Sequence, residues 1–302
     1  MIIHGDCLEE MDRLIEQGVV VDAIITDPPY GTTACDWDSL IPFNNHMMLP
    51  VSKRSKKLKP IYKDEYILQE LKAGREYKEI CEYFDTNSKE GMWQKLNKLI
   101  KPNGAVVLFG SEPFSSALRM SNIKNYKYDW VWNKRKPGNI FLAKQQPMKT
   151  HENILIFNGT KETYNPQMVK RDKVKKSKNY GTGEAMGGDK TKENKIYTYT
   201  HKNPISILDV SNASQKGKVH PTQKPVALGQ YLIRTYTNEN ETVLDFTMGS
   251  FTTAIACLNT KRDFIGIELD KTYFEIGKKR VEEHIKTLDY KPTIVYNQSI
   301  NN

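Results

Sequence analysis

Asp27-Pro28-Pro29-Tyr30 brings together hydrogen-bond acceptors and an aromatic ring on one rigid corner. Each proline fixes φ near about −65° and removes a backbone donor, so the pair ends a strand and stiffens the turn beyond it. The corner then offers a carboxylate, a carbonyl free to point outward, and an aromatic ring. A second constellation is Val243-Leu244-Asp245-Phe246-Thr247-Met248-Gly249-Ser250, an apolar run entering a glycine turn ahead of a helical stretch. Glu268 stands 19 positions beyond Gly249, at the end of another apolar run. An acid about 20 residues past such a turn suits a grip on ribose hydroxyls, and the helix start beyond the turn is an anion site. Each motif alone has an ordinary reading, as a Pro-Pro turn after a strand or a glycine turn with a later acid. No G-x-G-x-x-G is present, which counts against a nicotinamide-dependent dehydrogenase.

In chain order, residues 27–30, His220-Pro221-Thr222-Gln223-Lys224-Pro225 and residues 245–250 resemble the β class of DNA amino-methyltransferases, in which the catalytic motif precedes the cofactor motif. The likeness extends over Gly5-Asp6-Cys7-Leu8-Glu9, residues 110–116 and His151-Glu152-Asn153, roughly two-thirds of the chain. The resemblance implies a Rossmann-like α/β fold with a seven-stranded, mixed, circularly permuted sheet. It implies S-adenosylmethionine as cofactor, no metal, and methylation of the adenine N6 amino group in double-stranded DNA. Asp27, Pro28, Pro29 and Tyr30 are then the catalytic residues. Asp6, Cys7, Asp27, Lys224, Pro225, Asp245, Phe246, Gly249, Ser250, Thr252, Thr253 and Glu268 form the cofactor pocket. Phe251 departs from the family pattern, which has a glycine there. Its ring either packs inward as core or stands over the pocket. The alternatives are cytosine N4 methylation, more often accompanied by Ser in place of Asp27, and a DNA-binding protein that has lost catalysis. No cysteine lies in a Pro-Cys context, which argues against attack on cytosine carbon 5.

These motifs need parallel strands to carry them. Apolar runs at 21–25, 105–109, 154–157, 242–246 and 264–269, with another strand at 128–132, alternate with helical patterns, which indicates a largely parallel sheet covered on both faces. Trp93, Leu96, Leu99 and Ile100 share a helical face, and Lys101-Pro102-Asn103-Gly104 is expected to stop that helix. Trp130 and Trp132 read as core. The methyltransferase domain is assigned to 1–43, 91–157 and 220–288, with a tail at 289–302. Residues 44–90 form an accessory insertion, opening on a basic run at 53–59, with Ile67, Leu68, Leu71, Ile80, Cys81 and Phe84 at helical spacing. Residues 158–219 are polar and loop-like, holding 13 Lys and Arg against 6 Asp and Glu, interleaved with Tyr164, Tyr180, Tyr197 and Tyr199. The family places target recognition here, and the mix suits contact with phosphates and bases.

The whole chain has 302 residues and a net charge of +9, so most of its excess charge lies in that one segment. A basic balance favours polyanionic partners. Cys7, Cys35, Cys81 and Cys257 form no CxxC pair, against a zinc site or a disulfide scaffold. With no signal-like start and no run of about 18 apolar residues, the expectation is a cytoplasmic protein with no membrane partner, and a homodimer is left open.

Overall fold

The computed structural model describes residues 1–31, 38–50, 58–157, 163–178, 196–212, 218–220 and 222–298. Cys35, Tyr180, Pro221 and residues 53–57 of the basic run lie outside them. In chain order the elements are β1 (Ile2–His4), α1 (Cys7–Glu16), β2 (Val21–Thr26), β3 (His46–Pro50), β4 (Leu58–Tyr62), α2 (Lys63–Lys72), α3 (Tyr77–Asn87), α4 (Met92–Leu99) and β5 (Ile100–Gly110). Then come α5 (Phe114–Ser121), β6 (Tyr126–Asn133), β7 (His151–Phe157), β8 (Val169–Lys178), β9 (Ile196–Lys202), β10 (Ile207–Asp209), α6 (Val226–Tyr236), β11 (Thr242–Asp245), α7 (Thr252–Asn259), β12 (Asp263–Glu268), α8 (Lys271–Ile285) and β13 (Tyr296–Gln298).

One sheet runs β10-β6-β7-β5-β2-β11-β12-β1-β13. Only β7 opposes the rest, pairing antiparallel with both β5 and β6. The sheet is therefore Rossmann-like and mixed, but it has nine strands where seven were expected. The two extra strands, β10 and β13, are three residues long and sit at opposite edges. The segment expected as a tail thus supplies a strand that pairs with β1.

Period-two alternation fills both faces. Ala23, Ile25, Ala105, Val107, Phe109, Ile154, Ile156 and Val243 join α6, α7 and α8 in one core. Val21, Ile24, Val106, Leu108, Leu155, Phe157 and Leu244 join α1, α4 and α5 in the other. Trp130 and Trp132 are buried as expected, their indole N–H groups donating to Tyr236 Oη (2.7 Å) and the Val210 carbonyl (2.8 Å). Lys101-Pro102-Asn103-Gly104 corrects one boundary. It does not end the helix; α4 stops at Leu99, and the four residues are an excursion inside β5, which pairs with β2 at Ile100 and again from Ala105.

Residues 44–90 hold a hairpin of β3 and β4 plus α2 and α3, with a small core of Met47, Ile61, Tyr66, Ile80 and Phe84. Leu68 and Leu71 are 59% and 43% exposed, so the expected apolar stripe of α2 is not a core face; Tyr66 is the residue that turns inward. Residues 158–219 are less loop-like than expected: β8 and β9 form a two-stranded antiparallel ribbon, and β10 joins the main sheet.

Candidate active site

The carboxyl ends of β1, β2, β5, β6, β11 and β12 share one edge of the sheet, the place where open α/β sheets bind ligands. A cavity of about 550 Å³ opens there. Because β7 runs backwards, it delivers its first residues to the same edge, and Glu152 joins the lining. Every residue assigned to the site from sequence lines this cavity except Pro225, which instead precedes the first turn of α6.

On one side stands Asp27. Tyr30 Oη donates to its Oδ1 (2.7 Å), and the Lys224 ammonium donates to its Oδ2. The turn is pinned twice more: Thr247 Oγ1 donates to the Asp27 carbonyl (3.1 Å), and Asp38 Oδ1 accepts from the Tyr30 and Gly31 amides (2.7 and 2.9 Å). The Tyr30 ring stacks on Phe114 at 4.9 Å. Beyond that lysine, Glu152 Oε1 accepts from Lys134 Nζ (2.9 Å), while Oε2 faces Lys224 Nζ at 3.5 Å. Burial pushes the Asp27 carboxyl above its ordinary range, with Lys224 pulling the other way. Burial would raise Glu152 too, but Lys224 and Lys134 together outweigh it and hold it below the usual range. Burial opposes charge on Lys224, and its two carboxylates overcome that and keep it protonated.

On the other side, Asp245 Oδ1 accepts from Thr26 Oγ1 (2.6 Å) and the Thr247 amide (3.1 Å). Glu268 accepts from the Gly249 amide (2.6 Å) and the Asp270 amide (2.8 Å). Burial raises Asp245 to about 6 and Glu268 to about 7. Gly249 has φ +52°, a conformation that a residue with a Cβ rarely adopts, so the turn that aims its amide at Glu268 needs glycine. Asp6 Oδ1 caps α1 by accepting from the Leu8 and Glu9 amides (2.9 and 3.2 Å). Phe251 is fully buried and outside the cavity lining. Its ring lies edge-on to Phe274 and against Gly277, where an added Cβ would come within 2.4 Å of it.

The family model described as DNA methylase matches residues 21–279, most of the chain and nearly all of this machinery. The chain belongs to the DNA methylase family. The methylase is 24% identical over 299 residues to the type II methyltransferase M.HpaI of Haemophilus parainfluenzae, covering 95% of this chain and 76% of that one. It is 26% identical over 290 residues to the DNA adenine methyltransferase YhdJ of Escherichia coli K12, covering 93% and 82%. Among solved structures it resembles the M1.HpyAVI–SAM complex, with a TM-score of 0.53 and 24% identity over 93% of this chain and 98% of that one. It also resembles the cytosine-N4-specific PvuII DNA methyltransferase, with a TM-score of 0.54 and 15% identity over 94% and 90%. These two likenesses are of fold.

Sequence reasoning gave Lys134, Glu152 and Thr26 no role in this methylase's site, and read His220 either as bracing the following helix or as touching ligand; all four belong to the site or brace it. Glu152 lay within a quoted motif, but nothing local tells that an antiparallel strand carries it to the active edge. Thr26 is the residue before Asp27, and its hydroxyl ties Asp245 to Thr247, the latter at 2.6 Å. His220 Nδ1 accepts from the Thr222 amide (3.2 Å), and its ring packs on Tyr273 at 4.2 Å, bracing the approach to Lys224.

Proposed function

We propose that this methylase transfers a methyl group from S-adenosylmethionine to the N6 amino group of adenine in double-stranded DNA. The observation that carries the reading is a carboxylate, Asp27, fixed on a Pro-Pro corner in the same cavity as the Asp245 and Glu268 cradle. Asp6, Asp27, Glu152, Asp245 and Glu268 give the cavity an acidic lining answered by Lys134 and Lys224, which suits a ligand with a cationic sulfonium and ammonium. Glu268 would hold the ribose hydroxyls, and Asp245, Phe246, Gly249 and Ser250 the methionine end. Thr252 and Thr253 assist there, with Asp6 and Cys7 beside the adenine ring and Lys224 and Pro225 closing the pocket. When bound, S-adenosylmethionine supplies an electrophilic methyl carbon.

The rest of the chemistry belongs to the protein. The lone pair of an adenine amino group is delocalised into the ring, so the nitrogen is a weak nucleophile. Asp27 and the Pro28 carbonyl accept its two hydrogens and favour a pyramidal nitrogen with its lone pair turned toward the donor. No described backbone donor reaches the Pro28 carbonyl. The carbon–nitrogen bond would form as the donor's carbon–sulfur bond breaks and leaves a neutral thioether; an N–H bond then breaks and its proton passes to an Asp27 oxygen, then to water. Tyr30 flanks the base, which leaves the duplex to enter the cavity.

Target recognition falls to residues 158–219. Lys175 and Ser177 on β8 pair across the ribbon with Tyr199 and Tyr197 on β9, and the two tyrosines stack on each other at 6.4 Å. A basic two-stranded ribbon with exposed rings fits a DNA major groove. Residues 44–90, with their separate core, serve as an accessory insertion. No helix among the described residues is long and apolar enough to cross a membrane, and the enzyme is read as acting in the cytoplasm.

Long-read modification mapping of DNA from cells expressing the chain tests the reading. N6-methyladenine at one fixed motif is the expected result. N4-methylcytosine would install the rival chemistry, and unmodified DNA with intact DNA binding would favour the non-catalytic reading.

A further inference from the structure

Both Asp27 oxygens are already engaged. Tyr30 donates to Oδ1 and the Lys224 ammonium to Oδ2, so an incoming amino group must share its acceptor with a hydroxyl or with a buried cation. Nearby is an oxygen with the opposite problem. Glu152 Oε2 is buried and makes no hydrogen bond among the described residues, and Lys224 Nζ stands 3.5 Å from it. Leaving such a group unsatisfied costs free energy, and more so for a charged one. We propose that Glu152 is the second seat of Lys224, and that the ammonium shifts from Asp27 to Glu152 Oε2 when the target base arrives.

The inference rests on the methyl-transfer reading and deepens it. Nearly every neighbour on which the shift depends is in place. Lys134 holds Glu152 through Oε1, which leaves Oε2 aimed at the lysine. The ammonium lies 5.2 Å from the Phe109 ring centroid and 6.0 Å from that of Tyr30, so it has aromatic faces beside it as it moves. It stays paired with a carboxylate in either seat. The shift therefore never strands a buried charge, which is the expensive outcome in a low-dielectric site.

The shift also times the chemistry. While Lys224 sits on Asp27 it favours the ionised carboxylate and makes it a weak base. Once the lysine moves to Glu152, burial acts on Asp27 with less opposition, and its affinity for a proton rises. That is the moment when the methylated nitrogen must lose one: the N–H bond breaks, an O–H bond forms on Asp27, and Lys224 keeps its own proton throughout. Among the described residues, the charged or titratable groups around Asp27 are Tyr30 and Asp38 on its own loop, Lys224 before α6, Glu152 from β7, Lys134 beyond β6, and Asp245 from β11. Glu152 is thus a positioning residue acting through Lys224.

The experiment compares wild type, Glu152→Gln, Glu152→Asp, Lys224→Met and the Glu152→Gln/Lys224→Met double variant, by transfer of labelled methyl groups to DNA across pH. With the second seat neutralised, Lys224 stays on Asp27. Turnover should fall about 10–100-fold, less than the roughly 10²–10⁴-fold of a lost base because Asp27 itself remains, with KM for DNA and cofactor within about threefold. The acid limb of the turnover profile should move to lower pH, because a lysine held on Asp27 favours its ionised form. Glu152→Asp should recover part of the rate. In the Lys224→Met background the Glu152→Gln change should add less than about threefold, since residues acting as a unit are not additive. Thermal melting checks that each variant folds. An additive effect, an unmoved acid limb, or full turnover in a folded Glu152→Gln enzyme would overturn the inference while leaving the methyltransferase intact. Wild type that transfers no methyl group, or Asp27→Ala that keeps its turnover, would overturn the functional reading itself.

Discussion

The two sides of the cavity hold their carboxylates in different ways. Around Asp27 and Glu152 each acid faces a lysine, so the side is closed by the protein's own cations. Around Asp245 and Glu268 the partners are amides and hydroxyls, and burial lifts both carboxyls toward neutrality. The first side is a lock whose key must displace an internal ion. The second is a cradle short of positive charge and of hydroxyl donors, both of which a cationic nucleoside brings. Fold and acidity are common to both; the placement of two lysines makes the difference.

The largest effect that would break this contrast is on the locked side. Asp27→Ala should lower methyl transfer by about a hundredfold or more while DNA and cofactor binding largely survive, measured by single-turnover transfer beside equilibrium binding. Near-normal turnover would remove Asp27 from the chemistry.

Next comes the floor beneath the cradle. Phe251→Gly deletes a fully buried ring, which costs about 3–5 kcal/mol. The residue sits at φ +59°, where glycine relieves about 1–2 kcal/mol of strain. A net loss of about 1–4 kcal/mol in chemical denaturation is expected, with cofactor affinity unchanged within a few-fold. Tenfold tighter binding without lost stability would mean that the ring obstructs the pocket.

The cradle should also respond to pH, and the raised carboxyl sets the sign. Glu268 has its pKa at about 7, so it is ionised above that value and increasingly protonated below it. On the proposed reading, the ionised form is the one that accepts from both ribose hydroxyls. Affinity for S-adenosylmethionine should therefore fall from pH 8 to pH 6 by up to about tenfold in all, most of it in the last unit. Glu268→Gln should bind more weakly at pH 8 and lose most of that slope. Calorimetry at three pH values reads both, and an equal slope in the two proteins would assign the titration elsewhere.

The smallest effect lies outside the cavity. Neutralising Lys173, Lys175 and Lys176 together should flatten the dependence of log DNA affinity on log salt by about 0.9 per lost phosphate contact. An unchanged slope would move backbone tracking away from the β8–β9 ribbon.

Much of the cradle was legible in the sequence because its parts are local. A strand, a glycine turn and an acid 19 residues on announce themselves by type and spacing. Asp27–Tyr30 pairing is likewise a contact across three residues. The lock was not legible, because Lys224 reaches Asp27 and Glu152 only through the folded sheet, and Glu152 arrives by way of the one reversed strand. The ribbon escaped for another reason. Its strands are polar on both faces and exposed, so they lack the apolar alternation by which strands are recognised. Leu68 and Leu71 misled in the opposite way: helical spacing marks a stripe, but only packing decides whether a stripe is covered. Phe251 looked like an intrusion in the motif, and the reason that it is none lies far along the chain at Gly277.

The placement of β1 has a consequence in time. Its residues pair with Gly266–Glu268 on one side and Tyr296–Gln298 on the other, and with nothing nearer in sequence. During synthesis β1 waits while more than two hundred further residues are added before its first partner, β12, is made. At about 5–20 residues per second that is a wait of roughly 10–50 seconds. Asp6 and Cys7, the next residues after the β1 turn, wait with it. A ribosome stalled between the Pro-Pro corner and β11 carries that corner without Asp245, Gly249 or Glu268, so such a nascent fragment has one side of the cavity and none of the other.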